Sequence, residues 1–352
     1  MKRYGNLYPQ IVDFQNLLTA SKKAQKGKKY QPNVMRFNVN LEKNLLLLQK
    51  QLREKTYQPG KYTSFYITEP KYRQISAAPY RDRVIHHGLC NIIVPLIESS
   101  FIDHSYANRI GYGTHKALKY FIKNYRNYDY VLQCDIRKFF PTIDHEILKE
   151  IIRHKIKCHD TLWLIDTIIN NSNEQESIIQ YFDGDDLLTP LTRKKGLPIG
   201  NLTSQFFANF YLNYFDHFIY QKLKINKYVR YVDDFALFAN NKNKLTQARL
   251  EIESYLSQLR LKIHPIKSKL FSTQYGANFL GFRIFPNKIR VKNQNLHFAR
   301  RRLKKLQENY SQGNITIKQV LQSLKSWEAH LNYGDTYQLK KKIFDKLIFR
   351  KN

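Results

Sequence analysis

The stretch Tyr228–Ala239, YVRYVDDFALFA, constrains this chain more than any other. Two short runs of β-branched and aromatic residues flank Asp233-Asp234, so the stretch reads as two strands around an acidic turn. Tyr231, Val232, Phe235, Leu237 and Phe238 make both strands apolar, which calls for a packed sheet that fixes the turn. Two aspartates in a hairpin turn are commonly no more than turn residues. Held on a buried sheet they repel one another unless a cation lies between them. Fixed carboxylates suit Mg²⁺, which takes oxygen ligands and shares them with substrate phosphates.

A third carboxylate, Asp135, ends the strand of another apolar run, YVLQCDIRKFF at 130–140, which Pro141 stops. It lies 98 residues before Asp233, compatible with two strands meeting in one sheet. Two magnesium ions bridged by such carboxylates would activate a primer 3′-hydroxyl and stabilise the leaving pyrophosphate. The partner implied by charge agrees: 59 Lys and Arg against 28 Asp and Glu give a net +31, which predicts a polyanion. With 42% hydrophobic residues the chain is no disordered basic tail. These features point to nucleotidyl transfer on a polymer.

The length of 352 residues allows about two or three domains, and no solenoid period stands out. Residues 1–60 hold 12 basic and 3 acidic side chains, and KKAQKGKK at 22–29 reads as a solvated arm. Leu41, Leu45, Leu48 and Leu52 mark one helical face. The spacing predicts helices over 145–170, 203–223 and 243–260, a hairpin about Gly184-Asp185, and short strands near 261–264 and 278–285. From Pro286 onward there are 16 basic and 4 acidic residues. There Ile317, Val320, Leu321, Leu324, Trp327 and Leu331 share a face, so a small packed helical unit is expected against a phosphate backbone. The N-terminus lacks the apolar core of a secretory signal, and the uncharged run 196–215 is too polar for a membrane span. A soluble, cytoplasmic protein with no membrane partner is the expectation. Cys90, Cys134 and Cys158 suit neither a metal site nor a disulfide framework and are expected as reduced thiols. His86, His87 and His145 lack metal-ligand spacing, and Asp144, Asp185 and Asp186 read as turn residues.

Tyr231-Val232-Asp233-Asp234 resembles the YxDD box of reverse transcriptases, and Asp135-Ile136-Arg137-Lys138-Phe139-Phe140 is similar to the strand carrying their other metal aspartate. GLPIGNLTSQ at 196–205 resembles the template- and nucleotide-contacting turn between those two. Lys267-Ser268 resembles the following motif, and Phe279-Leu280-Gly281-Phe282 the primer-grip hairpin. Upstream, 71–87 and 105–117 resemble the fingers motifs, so the matches run in order from 71 to 285. The resemblance implies an α+β fold, a right-hand polymerase whose palm is a small antiparallel sheet with helices. By it, 1–130 is an N-terminal extension and fingers, 131–285 the palm with a hairpin insertion at about 171–195, and 286–352 a short helical thumb. The implied activity is RNA-directed DNA polymerase, copying an RNA template into cDNA.

Most relatives have Gln where this chain has Ile199 and Ser-Pro where it has Ser204-Gln205. The form found here resembles the reverse transcriptases of diversity-generating retroelements, which implies copying that is error-prone at template adenines. By resemblance Asp135, Asp233 and Asp234, with the backbone of Ile136, hold two Mg²⁺ ions, for which Mn²⁺ can substitute. Lys267 is implied as general acid toward pyrophosphate, and Arg73 and Arg109 as holders of the triphosphate. Phe140 is implied as a wall against the sugar 2′-hydroxyl, and Ile199, Gly200 and Gln205 as contacts to nucleotide and template. The implied partners are template RNA, a cDNA or RNA primer, dNTPs and a basic accessory variability protein. Two alternatives remain: a defence-associated or group II intron-like reverse transcriptase, and a catalytically inactive RNA-binding scaffold. The three intact carboxylates argue against the scaffold.

Overall fold

Strands β3 (Tyr130–Asp135), β4 (Tyr228–Tyr231), β5 (Asp234–Ala239) and β6 (Lys269–Ser272) form an antiparallel sheet in the order β4-β5-β3-β6. In this computed structural model, which describes residues 3–69, 71–173 and 175–351, both faces of that sheet are covered. Leu132, Cys134, Phe235 and Leu237 face one core with Leu245, Ile252 and Leu256 of the helix Lys242–Gln258. Val131, Val229, Ala236 and Phe238 face a second core with Leu118 and Phe121 of the helix Thr114–Asn127. Burial on both faces explains why these strands are continuous apolar runs and not alternating ones. The architecture is mixed helix and sheet, as expected of an α+β chain.

The N-terminal helices lie on the first core. Asp13 caps the helix Phe14–Ala24 by accepting from the backbone of Gln15 (2.9 Å) and Asn16 (3.3 Å). Its Leu17 packs so near Gly88 of the helix Tyr80–Glu98 that a Cβ on the glycine would come within 3.3 Å of the leucine. Lys22 and Lys23 form this helix's last turn and turns follow it, and the lysines at 22, 23, 26, 28 and 29 are all exposed, as expected of a solvated stretch.

Ahead of the central sheet, β1 (Thr63–Ile67) and β2 (Arg73–Ala77) form a separate hairpin, four residues of β1 being exposed. Its inner end is tied down where Ser76 N donates to Ile199 O (2.9 Å) and Asn201 Nδ2 to Ser76 O (2.8 Å). After the sheet, β7 (Ala277–Phe279), β8 (Phe282–Ile284) and β9 (Ile289–Val291) make a three-stranded sheet. The helices Asn293–Ser311, Ile317–Leu331 and Tyr337–Phe344 follow it.

Several expectations need correction. The hairpin placed at 171–195 is absent among the described residues. That stretch carries turns and the short helix Thr189–Thr192. Asp185 and Asp186 accept from nearby backbone N–H groups there, at Phe182, Leu188 and Thr189, which competes with a strand ladder. The segment 145–170 divides into helices His145–Arg153 and His159–Asn170. The segment 203–223 likewise divides into Leu202–Tyr211 and Asn213–Gln221. At 261–264 only an isolated bridge forms, Ile136 to Ile263, and the strand that pairs with β3 lies later, at Lys269–Ser272. On the helix Ile317–Leu331 only Val320 and Leu331 are buried, and Ile317 and Leu321 are about half exposed, so the packed unit is packed on a narrow stripe.

Candidate active site

The register of the central sheet puts Asp135, the last residue of β3, directly across from Asp234, the first of β5. Asp234 pairs on its other side with Tyr231, leaving Val232 and Asp233 as the two-residue turn. Val232 has φ +60°, a conformation that a β-branched side chain adopts only under strain, at about 1–3 kcal/mol. Two hydrogen bonds hold it there: Ile136 N donates to Asp233 O (3.2 Å), and the buried Arg230 Nη1 to Val232 O (3.1 Å). A hydrogen bond from a charged donor is worth about 1.5–3 kcal/mol, enough to offset the strain.

The carboxylates crowd one another. Burial, then the charges of Asp233 and Asp135, push the Asp234 carboxyl up to about 7. Burial, then the charge of Asp135, also raises Asp233, against the opposing charges of Arg73 and Lys267. Asp135 is paired differently: Lys267 Nζ stands 3.0 Å from each of its carboxylate oxygens. Asp135 is further fixed through its backbone, His264 N donating to its carbonyl at 2.7 Å. Among the described residues no three His, Cys, Asp or Glu side chains are gathered closely enough to hold a metal as they stand. The donor set still suits a hard divalent cation, because it consists of carboxylate oxygens whose mutual repulsion such a cation would relieve. A cleft of about 970 Å³ opens from Asp135, Asp234, Lys71 and Lys267 to the turn Phe279–Phe282 and Lys292.

None of the remaining expected residues lines this cleft; they lie on the elements around it. Arg73 begins β2, is exposed, and acts electrostatically on Asp233. Ile136 is buried beside the turn that its N–H braces. Phe140 is half-buried, edge-on to Phe139, and its carbonyl accepts from Leu197 N (2.9 Å), which ties it to the 196–205 segment. Ile199 is half-buried and bound by its carbonyl to β2. Gly200, at φ +116°, passes so close to Ile75 that a Cβ would stand 2.9 Å from it, which explains glycine there. Gln205 is exposed in the first turn of its helix.

Arg109 is partly committed to its own loop. Its Nη1 donates to the carbonyls of Ile102 and Ser105, both at 2.7 Å, and its guanidinium stacks on Tyr112 at 3.9 Å. It braces its own loop through Nη1, while its Nε has no hydrogen-bond partner among the described residues. Asp144 and Asp185 are more than turn residues, since buried Arg193 pairs with both and Arg260 reaches Asp144 at 2.6 Å. His86 is a buried core histidine held neutral, pushed down to about 3 by burial. The residues passed over by the sequence reading are Arg230, Asp216 and Asn209 beneath the turn. A lone arginine inside an apolar run was their one visible signal.

The reverse transcriptase (RNA-dependent DNA polymerase) family pattern matches residues 60–284, which is most of the chain and includes Asp135, Asp233 and Asp234. The chain belongs to the reverse transcriptase family. Protein YkfC of Escherichia coli (strain K12) is 22% identical, the match covering 73% of this chain and 75% of that protein. The group II intron-encoded protein LtrA of Lactococcus lactis is 26% identical over 53% of this chain and 30% of its own length. An uncharacterized 91 kDa protein in the cob intron of Schizosaccharomyces pombe is 25% identical over 47% of this chain and 19% of its own. This reverse transcriptase is an RNA-directed DNA polymerase. It takes an RNA template and nucleotide substrates, and enzymes of the family use divalent metal ions. No described helix is long and apolar enough to cross a membrane.

Proposed function

We propose that Asp135, Asp233 and Asp234, with the backbone of Ile136, hold two Mg²⁺ ions for DNA synthesis on RNA, and that the pairing of Asp135 with Asp234 across the sheet carries this reading. Bound there, the ions would supply charge for activating the primer hydroxyl and for the departing pyrophosphate. The chain's own groups do the rest. Arg73 faces the triphosphate, Phe140 fills the space of a 2′-hydroxyl, and Ile199, Gly200 and Gln205 shape the pocket for nucleotide and template. Lys267, which stands on Asp135, would bind the departing pyrophosphate or act as general acid toward it. On this reading 1–130 serves as N-terminal extension and fingers, 131–285 as palm and 286–352 as thumb.

The biological setting is that of a diversity-generating retroelement, working with a basic accessory protein. The support is the GLPIGNLTSQ segment, where isoleucine stands at 199. An isoleucine offers no hydrogen bond to check a nascent pair, so losing one or two bonds of about 1 kcal/mol each lowers discrimination by roughly an order of magnitude. Sequencing cDNA made from one RNA template tests this, in the parent and in Ile199→Gln. The parent should misincorporate chiefly opposite adenine and the variant less so. Equal error spectra would detach Ile199 from fidelity. A second reading, a group II intron-like reverse transcriptase, is favoured by the similarity to LtrA. Uniformly accurate cDNA from the parent would support it.

A further inference from the structure

Arg230 is the one charged residue within the apolar strand β4, and it is only 1% exposed. A guanidinium has five N–H donors, and here each has a partner. Nε and Nη2 donate to the two oxygens of Asp216, at 2.7 and 2.6 Å. Nη1 donates to Asn209 Oδ1 (2.8 Å) and to Val232 O (3.1 Å), and Nη2 also to Asn209 O (3.3 Å). The Tyr228 hydroxyl completes Asp216 at 2.7 Å. The acid and the amide come from different helices, Asn213–Gln221 and Leu202–Tyr211, so the guanidinium is gripped from two sides.

A buried ion pair is commonly no more stabilising than apolar residues of the same volume. Stability alone therefore gives weak reason for a charge in the middle of this core. Its bond into the turn ends on the carbonyl of Val232, the strained residue that precedes Asp233. The same cluster reaches the loop that leads to Arg109. Arg230 N donates to His104 O (2.9 Å), Tyr106 N to Arg230 O (3.0 Å), and Asn209 Nδ2 to Ala107 O (3.1 Å).

We propose that Arg230, gripped by Asp216 and Asn209, is a positioning residue that holds Val232 in its left-handed conformation and thereby sets where Asp233 and Asp234 meet metal and nucleotide. The inference rests on the roles given above to those two carboxylates. Arg230 touches no substrate; it acts through one carbonyl. Because the grip is shared with the 104–107 backbone, the turn and that loop are set together.

Primer extension on an RNA template, followed as a function of Mg²⁺ concentration, tests this in two chains. One is Arg230→Lys, which keeps the buried charge but cannot reach all the acceptors. The other pairs Arg230→Met with Asp216→Asn, which removes both buried charges together. Circular dichroism checks folding, and template–primer binding is measured separately. Both chains should fold and bind template–primer as the parent does. Their kcat should fall about tenfold or more, the equivalent of one lost charge-assisted bond, and half-maximal rate should need more Mg²⁺. In the Val232→Gly background, where the turn needs no strained residue, most of that loss should vanish. Folded chains with the parent's kcat and Mg²⁺ dependence would overturn the inference, as would an undiminished loss in the Val232→Gly background. Failure of both chains to fold would overturn it too, because Arg230 would then hold the fold and not the turn. Activity retained by Asp233→Asn, run alongside, would instead overturn the assignment of the carboxylates.

Discussion

In the central sheet Leu132, Cys134, Phe235, Ala236, Leu237 and Phe238 are each no more than 2% exposed, whereas from Asn293 onward only Leu303, Val320, Leu331 and Thr336 are buried among the described residues. The first region surrounds its carboxylates with close-packed side chains, and the second leaves Arg300, Arg301, Arg302, Lys304 and Lys305 in solvent. On the function proposed above, the difference matches what each charge would have to do. Carboxylates that share ions with a nucleotide must keep fixed separations, and only a dense core transmits such constraint. Cations that attract a phosphate backbone act over roughly a Debye length, about 8–10 Å, and a loosely packed helix supports them well enough.

The largest effect expected is from Asp233→Asn. Extension should fall by about 10²–10³-fold or more, the size seen when a group that stabilises transition-state charge is removed, with template–primer affinity retained. Primer extension under single-turnover conditions checks it, and robust synthesis by the variant would break the contrast at its fixed end.

Truncation of apolar residues should separate the regions next. Leu237→Ala removes a fully buried side chain and should cost about 2–5 kcal/mol. Leu321→Ala, at a position 48% exposed, should cost no more than about 0.5 kcal/mol. Denaturant unfolding of both variants measures this, and similar losses would mean that the C-terminal helices are as tightly packed as the sheet.

Charge reversal of Arg300, Arg301 and Arg302 should weaken template–primer binding and flatten its dependence on log salt by about 0.7–0.9 for each phosphate no longer neutralised. Folding should be unaffected, since the three are exposed and among the described residues only Arg301 of them has an ion pair, to Glu69 at 3.0 Å. A slope equal to the parent's would remove the 286–352 segment from the nucleic-acid path.

The smallest effect sharpens the electrostatics of the sheet. With its carboxyl pushed up from 3.8 to about 7, Asp234 keeps a proton in the folded chain over a pH range where the unfolded chain has released it. The unfolded state therefore binds fewer protons, and the metal-free parent loses stability as pH rises from about 4 to 7. Asp234→Asn removes that loss, so its advantage should grow across this range to on the order of 1 kcal/mol or more, and level off above it. Thermal melts in chelator at pH 4.5 and 7.5 provide the comparison, and an advantage independent of pH would contradict the crowding of the three carboxylates. Saturating Mg²⁺ should reverse the ranking, since the parent alone keeps the full donor set.

Much of the frame was legible without coordinates. The strand–turn–strand at 228–239, the strand that Asp135 ends and the helices at 243–260 and after 286 follow from apolar runs, turn residues and helical spacing, all of which act over a few neighbouring residues. The motif order from 71 to 285 also carried the family, which the match at 60–284 bears out. The hairpin expected at 171–195 failed because aspartate side chains bonded the backbone locally, a choice that turn composition alone does not reveal.

The site divides along the same line. Sequence by itself marked Asp135, Asp233 and Asp234 as acids at the ends of apolar strands, while Lys267 and Arg73 were singled out by the resemblance of their motifs. Tertiary structure decided the register that sets Asp135 opposite Asp234, the placement of Lys267 on Asp135, the inward turn of Arg109 and the fully bonded Arg230 beneath Val232. These depend on which donor finds which acceptor once segments far apart in the chain have packed together. Local propensity is set by adjacent residues, whereas a buried polar group takes whatever partner the assembled core brings within reach.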